Sequence, residues 1–278
     1  MKKVSVILIF LFALADAFAQ QGIIFKMRYQ PGWVYTCTQT INALTQINVT
    51  GDKTEMDKIL AAGTQLPIIL QSKNSLKYTV KTEGSKIQKN FSGIVQYLYN
   101  DTKQTVNGTE AESTLDTLKG KKFPVFFKND EVYFDTVKII GIPDNLKTLV
   151  AAVLNSVKIT FPDKALKPGD TFTQDVPVTM PVSGKPITVN THIVYKLTGM
   201  KNNEAFFDVI QTAAFKTHTT EGDININGNG EGHIFFDMQR NFFKVYQNTL
   251  NLIFTVQSGS LTMNGTTNVL SVYQTEIN

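Results

Sequence analysis

Cysteine is almost absent: Cys37 stands alone in 278 residues. No intramolecular disulfide can form, and no thiolate cluster or Cys-x-x-Cys redox pair exists. Cys37 lies in the strand-like run Tyr35-Thr36-Cys37-Thr38 and reads as a small buried hydrophobe. Histidine is nearly as scarce. His192, His218 and His233 fall singly in extended runs, with no His-Glu-x-x-His, and read as partly exposed strand residues. Charge is thin at 18% of the chain, with a formal net value of +4. Nucleic acid calls for a dense positive stripe, and here the basic residues are scattered. The longest cluster, Lys119 to Lys122, contains Gly120 and reads as a turn. No stretch pairs a basic face with an apolar one, as a membrane-surface helix does. There is no Gly-x-Ser-x-Gly elbow and no phosphate-binding glycine fingerprint opening a helix. Asn225 to Gly232 is rich in glycine and reads as a flexible turn. Its only carboxylates, Asp223 and Glu231, are too few for a calcium loop. Asp208 and Asp237, both amid aromatic strand residues, are the candidates for a paired-acid hydrolase. Neither metal nor cofactor is implied.

One long apolar run is present, and it is at the start. Lys2 and Lys3 precede Val4 to Leu14, which is broken only by Ser5, and Ala17-Phe18-Ala19 supplies small–x–small before Gln20. That is a secretory signal peptide over 1–19. It is shorter than the roughly 20 residues of a membrane span, and glutamine rather than cysteine follows, unlike a lipoprotein. No transmembrane segment is expected in the mature chain. Cleavage removes two basic residues and one acidic one, taking the net charge from +4 to +3.

The rest alternates with period two. Asn248 to Val256 puts Leu250, Leu252, Phe254 and Val256 on one face, the pattern of a half-buried strand. Similar runs cover 23–29, 33–48, 75–82, 86–98, 121–127, 130–138, 171–180, 186–199, 204–219, 223–237, 242–257 and 261–276. Glu83-Gly84, Asn202-Asn203, Glu221-Gly222 and Ser258-Gly259 mark reversals. Two or three helices are expected. Pro143 to Val157 carries the strongest stripe: Leu146, Leu149, Val150, Val153, Leu154 and Val157. Thr109-Glu110-Ala111-Glu112 has the form of a capping box, with Gly120 as a stop. Lys53 to Ala62 is the third candidate.

Gln30-Pro31-Gly32-Trp33-Val34-Tyr35-Thr36 matches Lys167-Pro168-Gly169-Asp170-Thr171-Phe172-Thr173, each a Pro-Gly turn leading to an aromatic and a threonine. The chain thus reads as an N-terminal β-rich half (20–140), a linking amphipathic helix (141–160) and a C-terminal β-rich half (161–278). The expected fold is mainly β: an antiparallel curved sheet or partial barrel in two similar halves, with helices packed against it.

These Pro-Gly strand starts, Phe161-Pro162-Asp163, the leader's end and Gly232-His233-Ile234-Phe235-Phe236-Asp237 resemble a family of exported Bacteroidota proteins with no assigned activity. The resemblance implies fold and compartment but no site. The layout is also similar to the periplasmic lipoprotein carriers, in which a curved sheet and helices enclose an apolar cavity, an architectural analogy only.

Ala205-Phe206-Phe207, Ile234-Phe235-Phe236 and Phe242-Phe243 place aromatics on both faces of their strands, so both faces are expected to be covered. A sandwich core explains this, and so does a ligand cavity. The leading expectation is an exported, non-enzymatic envelope protein that binds an apolar or lipid-like ligand, in the periplasm first, with the outer surface and the medium also open. Leu149, Val153, Phe207, Phe236 and Phe254 are the candidate lining residues. The rivals are a structural or interaction subunit of an envelope or surface-glycan assembly, with an envelope protein as partner, and a glycan hydrolase with dispersed acids. Five Asn-x-Ser/Thr sequons (Asn48, Asn90, Asn100, Asn107, Asn264) read as strand edges and turns, and Asp116-Thr117 and Asp135-Thr136 as weak O-glycosylation signals.

Overall fold

The computed structural model describes residues 22–84, 90–111, 119–129, 131–134, 158–182, 185–219 and 222–278. The expected leader, the helix expected over 143–157 with Leu149 and Val153, and both expected Asp-Thr signals lie outside the described residues.

Among the described residues twelve strands form one antiparallel sheet: β1 (Val34–Thr50), β2 (Ile68–Thr82), β3 (Asn90–Val106), β4 (Thr109–Ala111), β5 (Lys122–Lys128), β6 (Glu131–Phe134), β7 (Thr171–Val182), β8 (Lys185–Lys201), β9 (Glu204–Thr219), β10 (Gly222–Asp237), β11 (Phe242–Ser258) and β12 (Leu261–Ile277). The order is β6-β5-β3-β2-β1-β12-β11-β10-β9-β8-β7, with β4 beside β3. The chain therefore meanders from the centre to one edge, passes to the other edge, and meanders back. The join is β1 against β12, from Tyr35↔Ile277 to Thr50↔Thr262. The sheet is not closed into a barrel, and β6 and β7 are its edges. Tight turns fall at asparagine and glycine, which tolerate positive φ: Asn202 and Asn203, at 52° and 63°, link β8 to β9.

Alternation sends one set of side chains to an inner face, where the core collects. Tyr35, Tyr97, Phe123, Phe207, Leu197 and Phe236 are buried there, from strands on both sides of the join. The sheet must curve strongly for this. Five strand spacings separate β5 from β11, about 24 Å in a flat sheet. Yet the Tyr29 ring lies 5.1 Å from Phe127 on β5 and 5.0 Å from Phe242 on β11.

The material inside that curve differs from expectation. Among the described residues there is one helix, α1 (Lys53–Ala61), rather than two or three, and it buries nothing. It caps the tip between β1 and β2, with Asp52 accepting from the Glu55 N–H at 2.9 Å. The capping-box reading at Thr109 is overturned: Thr109–Ala111 pairs with β3 after an Asn107-Gly108 turn, because the left-handed pair reverses the chain before a helix can start. Among the described residues, extended chain fills the interior. Ile23 and Leu166 exchange two 2.8 Å backbone hydrogen bonds, locking 22–33 to the connector before β7. The strand expected over 23–29 reduces to that one bridge. Phe25 then packs on Phe161, Phe207 and Phe236 at 5.2–5.8 Å.

Both Pro-Gly turns act alike. Gly32 (φ 81°) donates its N–H to Glu83 O beyond the end of β2, and Gly169 (φ 96°) to Leu197 O near the end of β8. Each turn thus pins the first strand of a meander to the second. The outer face is open where aromatics were expected to be covered on both sides. Phe235 is 44% exposed and packs only edge-on to Phe206, at 5.5 Å.

Cys37 is buried, its sulfur 3.9 Å from Thr275 Oγ1. Burial pushes its thiol from 9.0 up to about 11, and Tyr35 from 10.0 up to about 12. Folding favours the neutral forms, so this stabilisation is complete below pH 9 and is lost as pH rises through 11 to 12. The Cys37 part corresponds to about 3 kcal/mol. Cys37→Ala is expected to flatten the decline in urea midpoint between pH 9 and 11. Parallel curves for the two proteins across that window would contradict the assignment.

Candidate ligand cavity

A cavity of about 430 Å³ opens on the inner face of β7–β12, immediately above the aromatic core. Its walls are Val176 on β7, Thr191, Ile193 and Tyr195 on β8, Gln211 on β9, Tyr246, Asn248 and Leu250 on β11, and Val269, Ser271 and Tyr273 on β12, with Lys158 and Ile159 of the connector beside them. Gln174 holds the connector in place. Its Nε2 donates to Lys158 O and its Oε1 accepts from the Thr160 N–H, both at 3.1 Å.

β10 contributes no side chain to this lining, because its inner face at this level is Gly228, Gly230 and Gly232. Of the two readings of Asn225 to Gly232, the flexible turn is therefore wrong and the strand over 223–237 holds. Asparagine and glycine alternate there with period two, so the segment is a central strand with one face stripped. The glycines let neighbours close over β10. Gln211 reaches across from β9 to donate to Thr249 O on β11, at 2.9 Å. A Cβ on Gly230 would lie 2.1 Å from that carbonyl and 2.6 Å from the Gln211 amide nitrogen. The bare strand thus leaves room for the curve and for the hollow above it.

Above the cavity the inner face stays apolar. Register puts Leu250, Leu252, Phe254 and Val256 beside Val269, Thr267, Gly265 and Met263 of β12, and Phe254 beside Ile226 of β10. Leu252, Ile226, Ala213 and Val189 form a second buried cluster, with Phe215, Ile224, Leu250 and Phe254 against it. The opposite, outer positions of β11 and β12 carry Asn251, Thr255, Asn264 and Asn268, paired as Thr255–Asn264 (2.9 Å) and Asn268–Asn251. A 17-residue strand reaches about 55 Å, so the apolar stripe runs well beyond the core.

At the bottom the polar groups are tyrosines. Tyr246 and Tyr273 stack at 5.8 Å and 26°. Burial raises the pKa of both hydroxyls, Tyr273 to about 12, and that of Tyr195 as well. All three are neutral across the physiological range. The charges at the mouth are paired outside it: Asp175 with His192 at 2.8 Å, Lys158 with Glu131 at 3.6 Å.

Of the sequence-derived lining residues, Phe254 lies on the stripe above the cavity with its ring over Gly265. Phe207 and Phe236 belong to the aromatic core beneath it, packed on Phe25 and Phe161. The two candidate acids for hydrolysis make the following contacts. Asp237 is buried and accepts from the Gln239 and Arg240 N–H groups and from Arg240 Nη1, at 2.9–3.1 Å, which orders the β10–β11 turn. Asp208 pairs with exposed His233 at 2.9 Å. No group of three or more His, Cys, Asp or Glu able to hold a metal occurs among the described residues. No helix of the described residues is long and apolar enough to cross a membrane. The tyrosines and glutamines of the cavity were missed, although period two from Leu250 reaches Asn248 and Tyr246.

No protein-family model and no curated protein matches this chain. Among solved structures the chain is similar to lipovitellin, in a structure concerned with its lipid–protein interactions. The TM-score is 0.49 at 11% identity, over 90% of this chain and 26% of the lipovitellin chain. This chain thus spans about a quarter of that protein's length.

Proposed function

We propose that the protein is an exported, non-enzymatic binding protein of the cell envelope that holds an apolar or lipid-like ligand against the inner face of its sheet. The observation that carries this reading is the 430 Å³ cavity continued by the apolar stripe of β10–β12. That volume falls within the usual range for small-ligand sites, about 300–1,000 Å³. The wall is apolar at Val176, Ile193, Leu250 and Val269, as suits an apolar ligand.

Native mass spectrometry of residues 20–278, with organic extraction, tests it. An apolar molecule is expected to co-purify, or to be taken up from a lipid mixture. Leu250→Gln with Val269→Gln should weaken uptake about tenfold, since each amide would face the ligand unpaired. A folded protein that stays empty in a lipid mixture would sink the reading, and a stoichiometric protein partner in its place would favour the interaction subunit.

A further inference from the structure

Basic residues scattered along the sequence meet on the outer face of β2, β3, β5 and β6. Tyr78 and Val80 of β2, Val95 of β3, Phe123, Val125 and Phe127 of β5 and Val132 of β6 pack in the core. Alternation therefore turns Lys81, Ile94, Pro124, Phe126 and Tyr133 outward. Register makes them neighbours: Lys81 lies opposite Ile94, Ile94 opposite Pro124, and Phe126 opposite Tyr133. Ile94, Phe126 and Tyr133 are 39%, 38% and 48% exposed, and Leu98 and Tyr99 extend the apolar strip along β3 at 37% each. Lysines border it. Lys122 and Lys128 stand on the same face of β5, before Pro124 and after Phe126. Lys119 and Lys121 flank Gly120, whose N–H donates to Tyr97 O beside Leu98. The ion pairs of described lysines use Lys58, Lys158 and Lys244, so these five are unpaired among the described residues. Of the carboxylates at this end, Glu131 is engaged by the Tyr133 hydroxyl at 2.6 Å and by Lys158 at 3.6 Å. Glu83 follows the end of β2.

We infer that this face docks the protein on a lipid surface carrying anionic headgroups, with the apolar strip at the acyl boundary and the lysines on the phosphates. No single stretch of sequence carries the pattern, because four strands contribute to it. Two features favour a bilayer over a protein partner. The cations are all lysine, which is depleted in protein interfaces where arginine is enriched. A lysine is a point charge on a flexible stem, which suits headgroups without fixed geometry. The face is also convex, because the core lies inside the curve of the sheet, and a bilayer yields around a convex apolar strip. The cavity opens on the opposite, inner face of β7–β12, so docking and ligand binding stand or fall separately.

Flotation of residues 20–278 with lipid vesicles tests it. Binding is expected to vesicles of about three parts phosphatidylcholine to one part phosphatidylglycerol, and about tenfold weaker or less to phosphatidylcholine alone. Lys81→Gln with Lys122→Gln and Lys128→Gln should weaken it about hundredfold, since each lysine near an anionic surface contributes about fivefold. Removing the same charge by Lys164→Gln with Lys201→Gln and Lys216→Gln, exposed residues away from this face, should cost about threefold at most. Phe126→Trp reports insertion without a change of charge: its emission should shift to the blue on anionic vesicles, beyond any change shown by Trp33 in the parent. No binding to anionic vesicles would overturn the inference. So would equal losses from the two lysine triples, an unshifted Phe126→Trp emission on bound vesicles, or an acidic protein bound at these lysines in place of lipid. Vesicle binding by a protein that takes up no apolar molecule would uphold the docking face while sinking the ligand reading.

Discussion

Phe25→Ala is expected to lower the melting temperature by about 10 °C, from a loss of about 3–5 kcal/mol. Phe25 is 3% exposed and touches Phe161 of the connector, Phe207 of β9 and Phe236 of β10. It is therefore the point at which the N-terminal segment, the connector and the curved sheet meet. Truncation removes the ring's burial and leaves a void walled by three other rings, none of which can move in without leaving its own partners. The control is Ile253→Thr, on the outer face and 65% exposed, where a change of at most about 0.5 kcal/mol is expected. Thermal and urea midpoints of the two variants side by side decide the matter. Equal shifts would mean that the aromatic plug does not hold the sheet in its curve.

Gly230→Val should be comparably severe, through crowding. A branched side chain there meets the Thr249 carbonyl within 2.1 Å and the Gln211 side chain within 2.6 Å. Either β10 moves off β11 or Gln211 loses its bond to Thr249 and swings into the cavity. A loss of about 3 kcal/mol is expected from overpacking, together with weaker uptake of apolar probes. Gly199→Ala serves as the comparison, because a Cβ at Gly199 meets nothing within 4 Å. If Gly230→Val matched Gly199→Ala in stability, the bare face of β10 would not be required by the curve.

The strands and their faces were legible because period two is a local property. Leu250, Leu252, Phe254 and Val256 share the inner face as their spacing predicts, and Asn202-Asn203 turns the chain where expected. The glycine-rich stretch at 225–232 misled because its composition is that of a turn while its alternation is that of a strand. Pairing on both edges of β10 won, since β9 and β11 supply the backbone partners that a turn lacks. The helix expectation failed at Thr109 for a nearby reason: the Asn107-Gly108 reversal precedes the cap and hands the chain to β3. Ranking residues by hydrophobicity selected Phe207 and Phe236, which the fold uses as core, and passed over Tyr246 and Tyr273, which it places at the cavity.

By itself the sequence determined the antiparallel alternation, the Pro-Gly starts of β1 and β7, and the lack of an intramolecular disulfide or a thiolate cluster. Each follows from residue identity or from spacing over a few positions. Only the tertiary structure decided that 22–33 and 158–170 fill the interior, that Phe25 meets Phe236, and that three glycines of β10 leave a hollow ringed by Tyr195, Tyr246 and Tyr273. Those outcomes depend on how strongly the paired strands curve, and curvature is set by contacts between residues more than two hundred positions apart, such as Phe25 and Phe236, which no local pattern encodes.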